Sequence, residues 1–191
     1  QTAESARRAG DSRLASRAAA DYAATALYGP TPVREVRDRC ARLLDQVAGK
    51  VPLLIEVKSR KDVRIAALCL AVRRVLEGYR GPHAVMSFDP RVPNWFNTHS
   101  PQTVRGLVVT EENNKTLFAR ARRRFALWHA RPDFLAYDIR DLPSRFATAQ
   151  RRRGLPIATW TVRSAELRER AARHADAPIA EGAGIEQSSA Q

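Results

Sequence analysis

Val51-Pro52-Leu53-Leu54-Ile55-Glu56-Val57-Lys58 is the stretch that decides how this chain is read. It is short, apolar and rich in branched side chains, and it ends with two charges. Such a run reads as a strand buried on both faces, the pattern of a parallel sheet. Just beyond it, residues 61–78 carry Val63, Leu68, Val72, Val75 and Leu76 on or near one side of a long amphipathic helix. The alternation then repeats. HAVMSF at 83–88, RGLVVT at 105–110, residues 133–139, PIATWTV at 156–162 and APIAE at 177–181 read as strands. Between them fall a short helix or turn at 90–102, holding Trp95 and Phe96, and predicted helices at 114–130, 144–153 and 164–175. Ser164 suits the start of the last helix, because its hydroxyl can accept from an orphan backbone amide.

Upstream of the first strand the signals change. Residues 1–13 are polar and arginine-rich, which predicts a frayed or disordered start. An Ala-rich helix at 14–28 would stop at Gly29-Pro30-Thr31-Pro32. Val33, Val36, Cys40, Leu43, Leu44 and Val47 then form one apolar stripe, a helix that Gly49 can end. The small polar tail, 183–191, is expected to fray. The expected globular part is therefore 14–182. The sequence opens on Gln1 rather than Met, as a processed or partial chain would.

Strands and helices in regular alternation place the chain in the α/β class. A doubly wound sheet and a barrel share this pattern, and both stay open at this level. No glycine-rich phosphate loop follows any strand, so nothing favours a nucleotide-binding sheet. Six strands fall short of a closed (β/α)8 barrel.

The formal net charge is +13 and the pI is near 11.0, and arginine supplies nearly all of the excess. Nucleic acid, an anionic membrane or an anionic substrate would each suit that sign. The arginines are spread over many segments, with the densest runs, Arg122–Arg124 and Arg151–Arg153, on predicted helices. Dispersion of this kind reads as solvated helix surface rather than a recognition patch. Cys40 and Cys69 lack a CxxC partner or a ligand-spaced histidine and read as small buried hydrophobes. There is no secretory leader pattern and no apolar run near the ~18 residues of a membrane span. A soluble, reducing, cytoplasmic setting is expected.

Charged groups at strand C-terminal ends carry the chemistry in an α/β barrel. Glu56 and Lys58 are two apart on one strand and so share a face. The carboxylate is a hard oxygen ligand for a divalent cation, and the ammonium is a point charge for phosphate oxygens; a buried salt bridge is the alternative. Phe88, in Ser87-Phe88-Asp89, walls a pocket or fills core. Glu111, Glu112, Asp138 and Glu181 follow strands as candidate oxygen ligands or solvated rim residues. Trp160 either covers an apolar part of a substrate or packs the barrel. His83, His99, His129 and His174 are scattered, and none is paired at metal-ligand spacing.

LLIEVK at 53–58, VMSFDP at 85–90, ATWTV at 158–162 and DAPIAEG at 176–182 together resemble the glycerophosphodiester phosphodiesterase family in order and spacing. The resemblance covers residues 51–182. It implies a (β/α)8 TIM-barrel type fold that lacks the first two strands, with six βα units present. It implies a phosphoric diester hydrolase that turns a glycerophosphodiester into an alcohol and glycerol 3-phosphate around a divalent cation, Ca2+ or Mg2+. Glu56 matches the family's metal-binding glutamate, Lys58 its active-site lysine, and Phe88 and Trp160 its pocket aromatics. The family's His-Arg-Gly strand, its Glu-Asn-Thr segment, its Glu-x-Asp metal pair and its His-Asp do not occur here. The resemblance therefore implies weak cation binding and slow or absent turnover by this chain alone. A non-catalytic remnant serving as a binding or structural module is the alternative, self-associating through open barrel edges. No specific nucleic-acid partner is expected, since no recognition motif accompanies the arginines.

Overall fold

The computed structural model describes residues 42, 45, 52–59, 64–112 and 116–185. The expected frayed start and first helix lie outside these residues, as do 186–191 of the tail. Of the helix expected at 33–48, Arg42 and Asp45 are described and both are helical. The chain divides into two compact units, 1–52 with 74–82, and 53–73 with 83–191. All six strands belong to the second.

The strands are β1 Leu53–Glu56, β2 His83–Ser87, β3 Val104–Val109, β4 Phe134–Asp138, β5 Ile157–Val162 and β6 Ala177–Ala180. They alternate with helices α1 Ile65–Leu76, α2 Arg91–His99, α3 Leu117–Ala130, α4 Arg145–Arg152 and α5 Ala165–His174. Short 3-10 turns follow at Ile139–Asp141 and Gly182–Gly184. The sheet runs in chain order, β1 to β6, with every neighbouring pair parallel. Among the described residues the sheet stays open between β1 and β6. It curls into a half-barrel, so the barrel alternative holds and the doubly wound one does not.

Strand alternation sorts the side chains into two layers. Leu107, Val109, Leu135, Tyr137 and Ile157 face the helices and pack with Ala130, Ala147 and Ala171 from α3, α4 and α5. This is the main core. The other face carries Met86, Val108 and Ala136, packed by Phe134, Trp160 and Ile179. It is the concave side of the curl. Cys69 on α1 is fully buried, and burial pushes its thiol up to about 11, as expected of a small inert hydrophobe.

Local chemistry holds the register. Asp133, just ahead of β4, accepts from Arg105 N at 3.0 Å and donates its own amide to Arg105 O at 2.8 Å. Asp176, just ahead of β6, repeats the clasp on Ile157, at 2.8 and 2.7 Å. Each aspartate pins the start of its strand to a neighbouring strand. Ser164 caps its helix as the sequence predicts, accepting from Leu167 N, and Ser144 likewise accepts from Phe146 N and Ala147 N. Thr116 caps α3 through Ala119 N.

Gly106 marks a close approach on the concave face. A Cβ at this position would meet the Phe134 ring closer than real Cβ atoms come to any neighbour. Gly106→Ala must push a packed ring aside, an overpacking change that costs about 1–3 kcal/mol. Chemical denaturation should show a lower midpoint with an unchanged slope.

Candidate functional site

Register fixes which residues share the concave face. Glu56 stands opposite Met86, Met86 opposite Gly106, Ala136 opposite both Val108 and Ala158, and Asp138 opposite Trp160. Neighbours in a parallel ladder point the same way. The face that holds Met86, Val108, Ala136 and Trp160 is therefore also the face of Glu56 and Asp138. Val57 N continues the first ladder by donating to Met86 O at 2.8 Å. Val57 is buried, and strand alternation continued past Glu56 would return Lys58 to the side of Glu56. Ser87 Oγ donates to Val57 O at 2.6 Å and ties the two strand ends together. Glu56 is half-buried and Lys58 exposed.

The two aromatic candidates touch. Phe88 and Trp160 meet edge to face, with ring centroids 5.6 Å apart and planes at 84°. The pairing crosses from the end of β2 to β5, which are not adjacent strands. The indole is fixed from beneath, since Trp160 Nε1 donates to Ala136 O at 2.9 Å. Phe88 is 48% exposed. The pair therefore forms a wall with one ring anchored and the other half open to solvent, beside the strand ends that carry Glu56 and Lys58.

Asp138 is buried at the end of β4 and its carboxylate is already engaged. Arg140 donates its amide to Oδ1 at 2.9 Å, its Nε to Oδ1 at 3.0 Å and its Nη2 to Oδ2 at 2.5 Å. Burial works against ionisation of Asp138, but the hydrogen bonds and charge of Arg140 outweigh it and hold the carboxyl below the ordinary 3.8. The same Asp-x-Arg device closes β2. Asp89 accepts from the Arg91 amide at 3.0 Å and from Arg91 Nη2 at 2.7 Å, and also from Ser59 Oγ at 2.6 Å. Its carboxyl is likewise held down: burial opposes ionisation, and the Arg91 and Ser59 contacts prevail. Asp-x-Arg at a strand end is the sequence signal that marks Arg91 and Arg140 as these partners.

Glu111 and Glu181 are committed elsewhere. Glu111 accepts from Tyr137 OH and Ser144 Oγ and pairs with Arg123 at 3.5 Å. Tyr137 is a fully buried member of the main core, so Glu111 serves a polar knot on the helix side of the sheet rather than the concave face. Burial first, and the adjacent carboxylate next, push the Tyr137 hydroxyl far above its ordinary value. Glu181 pairs with Arg163 at 2.5 Å. His83 opens β2 at its N-terminal end, and His99, His129 and His174 close α2, α3 and α5. His99 stacks on Trp95 at 4.6 Å and its Nδ1 meets Trp95 O at 3.0 Å.

The fold thus defines a parallel, curled α/β sheet with Glu56, Asp138, Phe88 and Trp160 near strand C-terminal ends on the concave side. Solved structures share this arrangement. The chain matches a protein from Silicibacter pomeroyi DSS-3 assigned as a glycerophosphoryl diester phosphodiesterase, with a TM-score of 0.61 and 22% identity over 75% of this chain and 52% of that one. An Oleispira antarctica phosphodiesterase solved with its product sn-glycerol-3-phosphate gives 0.60 and 16%, over 75% and 56%. A protein from Galdieria sulphuraria assigned as a glycerophosphodiester phosphodiesterase gives 0.58 and 10%, over 74% and 58%. The chain therefore spans little more than half the length of these structures, and at these identities the likeness establishes the shared fold. No protein-family model matches the chain, and no curated protein matches it significantly.

Two outcomes follow from this geometry. In a Trp95→Phe, Trp128→Phe background that isolates Trp160, Phe88→Ala should uncover the indole and shift its fluorescence to longer wavelength. An unchanged spectrum would contradict the ring contact. Asp138, with its native pKa below its unfolded one, contributes stability that is complete above about pH 4 and is lost as pH falls through the native value. Asp138→Asn should flatten the acid limb of the stability curve below about pH 4 and leave its slope near neutrality unchanged.

Proposed function

We propose that the concave face binds a glycerophosphodiester and acts on it in the manner of a phosphoric diester hydrolase, releasing an alcohol and glycerol 3-phosphate. The observation that carries this reading is the Phe88–Trp160 contact on the sheet face that Glu56 shares, with Lys58 two residues beyond Glu56. A phosphodiester needs a cation for its oxygens, and Lys58 supplies an ammonium there. The glycerol or alcohol carbons need an apolar wall, and the Phe88–Trp160 pair offers one with a solvent-facing ring. The product bound to the Oleispira antarctica phosphodiesterase supports the same chemical class.

A divalent cation is part of the family pattern, and Glu56 would give it one oxygen ligand. Among the described residues no three histidine, cysteine or acidic side chains are placed to hold a metal. Asp138, which shares the face, has its carboxylate engaged by Arg140. The described donors therefore do not fit a complete cation site. Lys58 would neutralise and orient the phosphodiester, and the aromatic pair would position its organic part. General acid–base chemistry requires a titrating group within reach of the attacking and leaving oxygens. None of the four histidines lies at the concave rim, so slow turnover by this chain alone is the reading's consequence.

The test separates binding from turnover. Calorimetry with sn-glycerol 3-phosphate should detect binding that Lys58→Ala weakens about tenfold or more, in line with losing a charge-assisted hydrogen bond. Glycerol 3-phosphate release from glycerophosphocholine, with Ca2+ or Mg2+ added, should be far slower than for a complete barrel enzyme, and Glu56→Gln should lower it further. Binding with no release at any cation concentration would favour the non-catalytic module. No binding at all would overturn the proposal.

A further inference from the structure

Helix α3 has two apolar faces, and the fold uses one. Ala119 and Ala130 are buried, and Ala126 and Leu127 pack on the main core. Arg123, on the same side, pairs with Glu111. The opposite side carries Leu117, Phe118, Phe125 and Trp128, which are 81, 78, 63 and 66% exposed. Phe125 packs against Trp128 with centroids 5.7 Å apart, so the aromatics form a continuous surface. At about 100° per residue these four side chains, with Ala121, fill a sector of about 100° centred opposite the buried face. Arg120 and Arg124 border that sector on one side, and Arg122 and His129 border it on the other. No acidic residue occurs anywhere from Thr116 to Arg131.

We propose that this outer face of α3 is a docking surface for an anionic phospholipid bilayer. An interfacial helix lies in the membrane plane, with Trp, Phe and Leu at the boundary of headgroups and acyl chains and basic side chains reaching the phosphates alongside. Leu117, Phe118, Phe125 and Trp128 supply the first element. Arg120, Arg122 and Arg124 supply the second, and their long stems let the guanidinium groups stay level with the headgroups while the rings go deeper. Charge selects among occupants. A second copy seated on this face would set like arginine flanks against each other with no acid to answer them. Nucleic acid would take the arginines but leaves the aliphatic Leu117 and the nearly bare Phe118 ring without a role. A bilayer of negative surface charge satisfies both at once. The surface lies on the helix side of the sheet and its residues are not those of the concave site, so it stands or falls separately from the proposed catalytic reading.

The test is co-sedimentation of the full chain with vesicles. Equimolar phosphatidylglycerol and phosphatidylcholine should pellet the protein, and pure phosphatidylcholine should pellet far less. Each arginine near an anionic surface is worth about fivefold in partition. Arg120→Gln, Arg122→Gln and Arg124→Gln together should therefore lower partition on the order of a hundredfold, whereas Arg152→Gln, Arg153→Gln and Arg173→Gln, an equal loss of charge elsewhere, should lower it much less. Phe118→Ser with Trp128→Ser should also release the protein, with unchanged circular dichroism because both side chains are exposed. Trp128 fluorescence should move to shorter wavelength on anionic vesicles. Equal loss from the two arginine triples, retention by the Ser variant, or binding to duplex DNA or to itself in place of vesicles would each overturn the proposal.

Discussion

The structure depends on a single constraint, the unbroken parallel register from β1 to β4 and on into β5. Side chains in a strand alternate with period two, so a slip of one residue between any two strands would turn that strand's whole set to the other face. Here the even-numbered residues of β1 to β5 keep to the concave side, from Glu56 through Met86, Val108 and Ala136 to Trp160. The register is held by more than ladder hydrogen bonds. Asp133 and Asp176 each clasp the start of a neighbouring strand from below, and Ser87 ties the ends of β1 and β2 from above. At β5 the alternation shifts, with an irregular step between Thr159 and Val162. Trp160 lies at that step, where its indole is held to Ala136 O and meets Phe88.

The two faces of the sheet do different work. The helix side buries Leu107, Val109, Leu135, Tyr137 and Ile157, and it closes one large polar group into the core by giving Tyr137 a carboxylate and a hydroxyl as partners. A buried hydroxyl without such partners would be costly. The concave side is packed by small or slender residues near its base, Gly106, Ala136 and Val108 among them, and carries charge and exposed aromatic surface at its rim. The larger packed core thus lies on the helix side.

Arginine is used in two ways that sequence composition merges. At the strand ends Arg91 and Arg140 are folded back on Asp89 and Asp138, while Arg151 and Arg163 answer Asp176 and Glu181. These cations belong to local structure, each paired with a neighbouring carboxylate. On α3 the arginines instead flank a bare aromatic surface. No helix among the described residues is long and apolar enough to cross a membrane, so any meeting of α3 with a bilayer is at its surface.

The sequence by itself determined the strand–helix order and the helix cap at Ser164. Both are short-range properties, set by periodicity and by the residue at a helix start. The described strands fall within a residue or two of the stretches read from the sequence. Tertiary structure alone decided between a doubly wound sheet and a curled one, because both have the same alternation and differ in how successive strands are ordered in space. It also decided the fate of individual carboxylates. Glu111 and Asp138 each follow a strand and look alike in sequence. One is drawn to the helix side by Tyr137, Ser144 and Arg123, and the other is locked by an arginine two residues on. The Phe88–Trp160 contact joins residues far apart in the chain, so it exists only once the sheet has curled and brought β2 and β5 toward each other.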